Sequence, residues 1–152
     1  MSDDIRLAMV AYLYTDAALS AIVGGAVARS AGGKRIFPSV LPQGMKEPSV
    51  VFTRVSNEGH YHHQGSANLS TVRMQIDCYA QSPDVAAQLG RLVKSHLGAA
   101  RGAWPFGSDS PPDTIVVQGV FFDTERDTYD QTTALYGVTQ DYFIWHVDAA
   151  NG

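Results

Sequence analysis

Thr71-Val72-Arg73-Met74-Gln75-Ile76-Asp77-Cys78-Tyr79 alternates without a break. Val72, Met74, Ile76 and Cys78 are apolar, and Arg73, Gln75 and Asp77 between them are polar. Successive side chains on a strand point to opposite faces, so the pattern predicts a strand with one dry face and one wet or subunit-facing side. Three residues later comes Ser82-Pro83-Asp84. Serine at the cap and proline in the first turn are helix-start signals. Val85, Leu89, Leu92, Val93 and His96/Leu97 then recur at helical spacing, and Gly98 marks the stop. One strand and one helix, each with a single apolar side, are expected to pack on each other.

Toward the N-terminus, Ile5, Ala8, Met9, Tyr12 and Leu13 fall on one helical face, with Ser2 or Asp3 as cap. Thr15-Asp16 starts a second, short helix that Gly24-Gly25 ends. Ala26 to Gly33 reads as a connection. Arg35 to Val40 reads as a short strand cut by Pro38, and Pro42, Gly44 and Pro48 as a loop. Val50 to Val55 is apolar at nearly every position and belongs inside a sheet. Asn57 to Ser70 is polar and rich in Gly and His, a hairpin tip or an arm.

Toward the C-terminus, Arg101 to Asp113 reads as a loop holding Trp104, Pro105, Phe106, Pro111 and Pro112. Ile115 to Phe122 is a strand, Glu125 to Thr132 a polar turn, and Leu135 to Val147 a long strand with Tyr136, Val138, Tyr142, Ile144 and His146 on one face. Residues 148–152 are expected to fray. The order predicts a single α+β domain over residues 1–152: an antiparallel β-sheet with the N-terminal helices and the central helix packed on one face.

With 152 residues, 45% hydrophobic and 17% charged, the chain has enough apolar side chain to bury a core. A net charge of −4 without any Lys/Arg cluster argues against gripping phosphates. Met1-Ser2-Asp3-Asp4 lacks the basic and apolar segments of a signal peptide, and no apolar run is long enough to span a bilayer. The one cysteine, Cys78, has no partner for an internal disulfide and reads as a buried small hydrophobe.

No constellation carries chemistry. His60-Tyr61-His62-His63 puts two imidazoles on one side of an extended segment, but Glu58, His96 and His146 do not complete a ligand spacing. A small metal-binding protein or enzyme built on this cluster is the competing reading; a loop tip or subunit contact is preferred. Asp123, Glu125, Asp127 and Asp130 lack the calcium-loop spacing and are read as a turn whose charge Arg126 offsets. There is no nucleophile elbow, phosphate loop or dinucleotide fingerprint. The reading therefore assigns no catalytic residue, no metal and no cofactor. Glu58, His60, His62, His63, Trp104 and Phe106 are the candidate contacts to another subunit or to a tube.

Short signatures follow one another in a fixed order. They are Leu19-Ser20-Ala21-Ile22-Val23-Gly24-Gly25, Ile36-Phe37-Pro38, Pro42-Gln43-Gly44, Pro48-Ser49-Val50-Val51-Phe52 and Glu125-Arg126-Asp127-Thr128-Tyr129. Together with the strand at 71–79 and the helix at 83–97, this order resembles the tail-completion, or tail terminator, proteins of long-tailed bacteriophages and gene transfer agents. The resemblance runs from Ile5 to His146. It implies a structural virion protein without catalytic residues, assembled in the cytoplasm of a bacterial host. Such proteins form a ring, commonly a hexamer, on the head-proximal end of the tail tube. The ring ends tube polymerisation and meets the head–tail connector, and DNA passes through its lumen without specific binding. Its partners are further copies of itself, the tail tube protein and the connector, and no membrane is involved. A head-completion connector protein is the nearest alternative.

Overall fold

A computed structural model describes residues 4–23, 35–38, 41, 44, 48–62, 65–98, 100–106 and 113–147. The elements in chain order are α1 (Asp4–Tyr14), α2 (Ala17–Val23), β1 (Ile36–Pro38), β2 (Ser49–His62), β3 (Gly65–Ala80), α3 (Pro83–Leu97), β4 (Gly102–Phe106), β5 (Asp113–Asp130) and β6 (Leu135–Val147). The six strands form one sheet in the order β1-β2-β3-β6-β5-β4. The fold is α+β, as the element order predicts.

The sheet is mixed rather than purely antiparallel, because β1 runs parallel to β2, pairing Ile36 with Val50. All the other neighbours are antiparallel. Three strands follow α3 instead of the expected two. The expected loop at 101–113 contains β4, which pairs Trp104 with Ile115 and Phe106 with Asp113. The expected turn at 125–132 is also mostly strand. β5 continues to Asp130, and the reversal is confined to the four residues after it. Residues 57–70 resolve in favour of a hairpin, with His62 opposite Gly65. The expected connection at 26–33 lies outside the described residues.

The alternation in β3 does what its chemistry requires. Val72, Met74, Ile76 and Cys78 are completely buried. They form one core with Val50 and Phe52 of β2, Val138, Tyr142 and Ile144 of β6, and Leu89, Val93 and Leu97 of α3. The helix stripe differs slightly from expectation: Ala86 and Gly90 are buried, while Val85 and Leu92 are only half-buried at its border. Small residues at these positions let α3 lie close to β6. A Cβ added at Gly90 would sit 3.1 Å from Val138 Cγ1. Ser82 caps α3, its Oγ accepting from the Asp84 amide at 3.2 Å, and the Gly98 amide closes the last turn on Lys94 O at 2.8 Å.

The first helix reaches the same side of the sheet through aromatic contacts. Tyr12 stacks on Trp104 with ring centroids 4.4 Å apart and on His96 at 4.3 Å. Its hydroxyl donates to His96 O at 3.1 Å, which ties α1 to the end of α3. The α3-covered face also holds one buried polar side chain that the sequence pattern does not reveal. Gln140 Nε2 donates to Gly90 O at 2.8 Å and to Glu125 Oε2 at 2.7 Å, and its Oε1 accepts from the Tyr142 hydroxyl at 2.7 Å. One amide thus joins α3, β5 and β6.

Candidate assembly surface

The second face of the central strands carries Thr71, Arg73, Gln75, Asp77 and Tyr79 on β3. Opposite them on β6 stand Trp145, Phe143, Asp141, Thr139 and Gly137. The face has no helical layer of its own among the described contacts, yet several of its polar groups are buried by their neighbours in the sheet. Thr139 Oγ1 donates to Asp77 Oδ1 at 2.5 Å, and Gln75 Nε2 donates to Asp77 Oδ2 at 3.1 Å. Asp141 Oδ2 accepts from Thr124 Oγ1 at 3.0 Å and from Arg73 Nη2 at 3.3 Å. Arg73 also lies 3.9 Å from Asp123. These pairs hydrogen-bond both oxygens of Asp77 and Oδ2 of Asp141, while Asp141 Oδ1 is buried with no hydrogen-bond partner among the described residues.

One end of this face is apolar. Leu69, Phe121, Trp145 and Val147 surround a shallow depression that Gln118 borders. Phe121 is exposed there, and Val116 nearby is exposed as well. A contiguous apolar area on an otherwise polar sheet is a mark of a surface used in assembly.

The sequence-predicted contact residues separate. Glu58 is exposed on β2, opposite Thr71. His60 and His62 lie further out on the same strand, opposite Leu69 and Gly65. Their side chains and all of His63 fall outside the described residues. Trp104 is 2% exposed and belongs to the core against Tyr12, so its ring is not a contact surface in this chain. The sequence signal misled because a Trp-Pro-Phe run among prolines reads as a loop. Phe106 sits on β4 opposite Asp113, with its side chain outside the described residues. Leu69, Phe121, Trp145 and Val147 were not predicted as a group, since they lie on three strands and meet only through the register.

Among the described residues no group of three or more His, Cys, Asp or Glu side chains has the geometry of a metal site. Cys78 is fully buried, and desolvation, with Asp77 and Glu125 adding to it, pushes its thiol far up, so it is no nucleophile at neutral pH. Among the described residues no helix is long and apolar enough to cross a membrane. Asp77, Glu125 and Asp141 lie on three different strands and accept from Gln75 and Thr139, from Gln140, and from Arg73 and Thr124 respectively.

The architecture defines a class: a structural domain whose distinguishing features are sheet surfaces rather than a reaction site. The family model described as "Tail completion protein gp17" matches residues 7–147, and the chain belongs to that family of phage tail completion proteins. It is accordingly a structural protein of the virion tail and not an enzyme. A chain from the solved structure titled "Virion of native gene transfer agent (GTA) particle" has the same fold. Its TM-score is 0.62 at 13% identity, over 89% of this chain and 88% of that one. No curated protein sequence matches the chain.

Proposed function

We propose that this chain forms a closed ring of identical subunits, a hexamer, on the head-proximal end of the tail tube. There it ends tube polymerisation and offers the surface that joins the head connector. The observation that carries this reading is the match of the tail completion family over nearly the whole chain. The likeness in fold to a chain of a gene transfer agent particle agrees with it.

The surfaces suit such a role. A ring needs two different patches on one subunit, each meeting the other on a neighbour. The end of the β2–β3 hairpin, where Glu58 and His60 stand level with Trp145 and Val147 of β6 and His62 lies further out, is with His63 the arm we assign to a neighbour or to the tube. The apolar end of the bare sheet face lies beside it and is a second contact. The net charge of −4 and the scattered Lys and Arg let DNA traverse a lumen without being held.

Deletion of the gene from its phage, prophage or gene transfer agent cluster tests the role. Tails are expected to overgrow or to remain unjoined, and filled heads to accumulate. Normal-length tails joined to heads in the deletion strain would contradict it.

A further inference from the structure

The two margins of the sheet are each only half covered. On one side β1 pairs with Val50 to Phe52 only, so among the described residues no strand pairs with the outer edge of β2 from residue 53 to 62. On the other side β4 pairs with Asp113 to Val117 only, so among the described residues no strand pairs with the outer edge of β5 from residue 118 to 130. Backbone groups along such margins are templates for a further strand.

Three observations say what that strand is. The first is hydrophobic exposure. The large hydrophobics exposed among the described residues are Val55 (52%), Phe121 (56%), Tyr129 (51%), Phe122 (38%) and Val116 (43%). All but Val116 lie on the two uncovered stretches. The second is level. Through the registers, Thr53 to Glu58 on β2 and Gly119 to Thr124 on β5 flank the same stretch of β6, Asp141 to Trp145. The third is direction. β2, β3, β6 and β5 are successively antiparallel, so β2 and β5 run in opposite senses. A neighbouring copy that keeps its up–down orientation, as rotation about a ring axis requires, therefore sets β5 antiparallel to β2. The alternation of the sheet continues across the boundary.

We infer that in the assembled ring the outer edge of β2 (residues 53–58) of one subunit pairs antiparallel with the outer edge of β5 (residues 119–124) of the next. This rests on the ring reading and specifies its seam. The contact is heterologous, so each subunit offers one edge of each kind and the set closes without a spare edge. β1 covers β2 at one end of the strands and β4 covers β5 at the other, so the level left open on both is Thr53 to Glu58 against Gly119 to Thr124, and Val55 and Phe121 share it. Val55 and Phe121 lose their exposure in the seam.

Chains carrying Val55→Cys alone, Phe121→Cys alone, or both are incorporated into tails and treated with a short bis-maleimide. Both positions are exposed and tolerate truncation, and buried Cys78 stays silent. Tails containing a mixture of the two single variants should give one heterodimer, either single variant alone none, and the double variant a ladder up to the full ring. Cross-linking of Phe121→Cys chains alone would mean like-to-like pairing and overturn the seam. Rings visible at tail ends without any cross-link between positions 55 and 121 would overturn the seam and leave the ring standing. Absence of rings would remove both. In the unmodified protein, amide exchange within 53–58 and 119–124 should slow by more than about tenfold on going from free subunit to tail. Unchanged exchange in both stretches would equally overturn the proposal.

Discussion

Gln140 shows how much a single side chain can organise. It occupies a fully buried position on the α3-covered face, and its amide answers polar groups from α3, β5 and β6. Gln140→Leu keeps the volume but strands the Tyr142 hydroxyl in the core. The loss of stability in urea unfolding should be about 1–3 kcal/mol, the cost of buried groups left unpaired. A neutral substitution would mean that water replaces the amide. Tyr142 and Cys78 carry a second expectation. Burial raises the folded-state pKa of both above the ordinary values of 10.0 and 9.0. Their neutral forms are favoured in the fold, so their contribution is intact below the unfolded-state values and is lost as pH rises past them. The thermal midpoint should therefore not fall on their account at neutral pH and should fall from about pH 9 upward. Replacing Cys78 by Ala should remove the earliest part of that fall.

At the scale of elements, what could be read beforehand follows from what covers each segment. β3 and α3 each have one covered side, so burial imposes a period of two on the strand and a helical period on the helix, and both were legible. α3 also announces its own start. Ser82→Ala should cost about 1 kcal/mol by removing the acceptor for the Asp84 amide. Thermal melting of the variant checks this, and an unchanged midpoint would mean that Pro83 alone sets the first turn. The far half of β5 was not legible. Residues 123–130 are exposed throughout, so no dry face marks the strand beyond Phe122, and acidic residues on both of its sides read as a turn. β4 was hidden by Pro105, which breaks a central strand but is accepted in an edge strand. The parallel pairing of β1 was hidden because it depends on a connection between distant segments. The assembly surface failed to show for the same reason: Leu69, Phe121 and Trp145 become neighbours only through two registers. The histidines of 60–63 stood out by composition, which says little about where a strand end projects.

On the scale of the whole molecule, one sheet carries two kinds of surface. The helices and the hydrophobic core occupy one side, and the other side, with its two margins half open among the described residues, is the one we assign to partners. This arrangement suits the proposed role, in which a subunit folded before assembly joins copies of itself on a tube. The proposed closed ring at the head-proximal tail end is open to direct inspection. The most direct measurement is a cryo-electron microscopy reconstruction of that end of intact particles, with the chain fitted to the density. A single closed ring of copies of this chain between tube and connector is expected, with β2 of each subunit beside β5 of the next. Density for this chain elsewhere in the particle, or as isolated copies that do not touch one another, would contradict it.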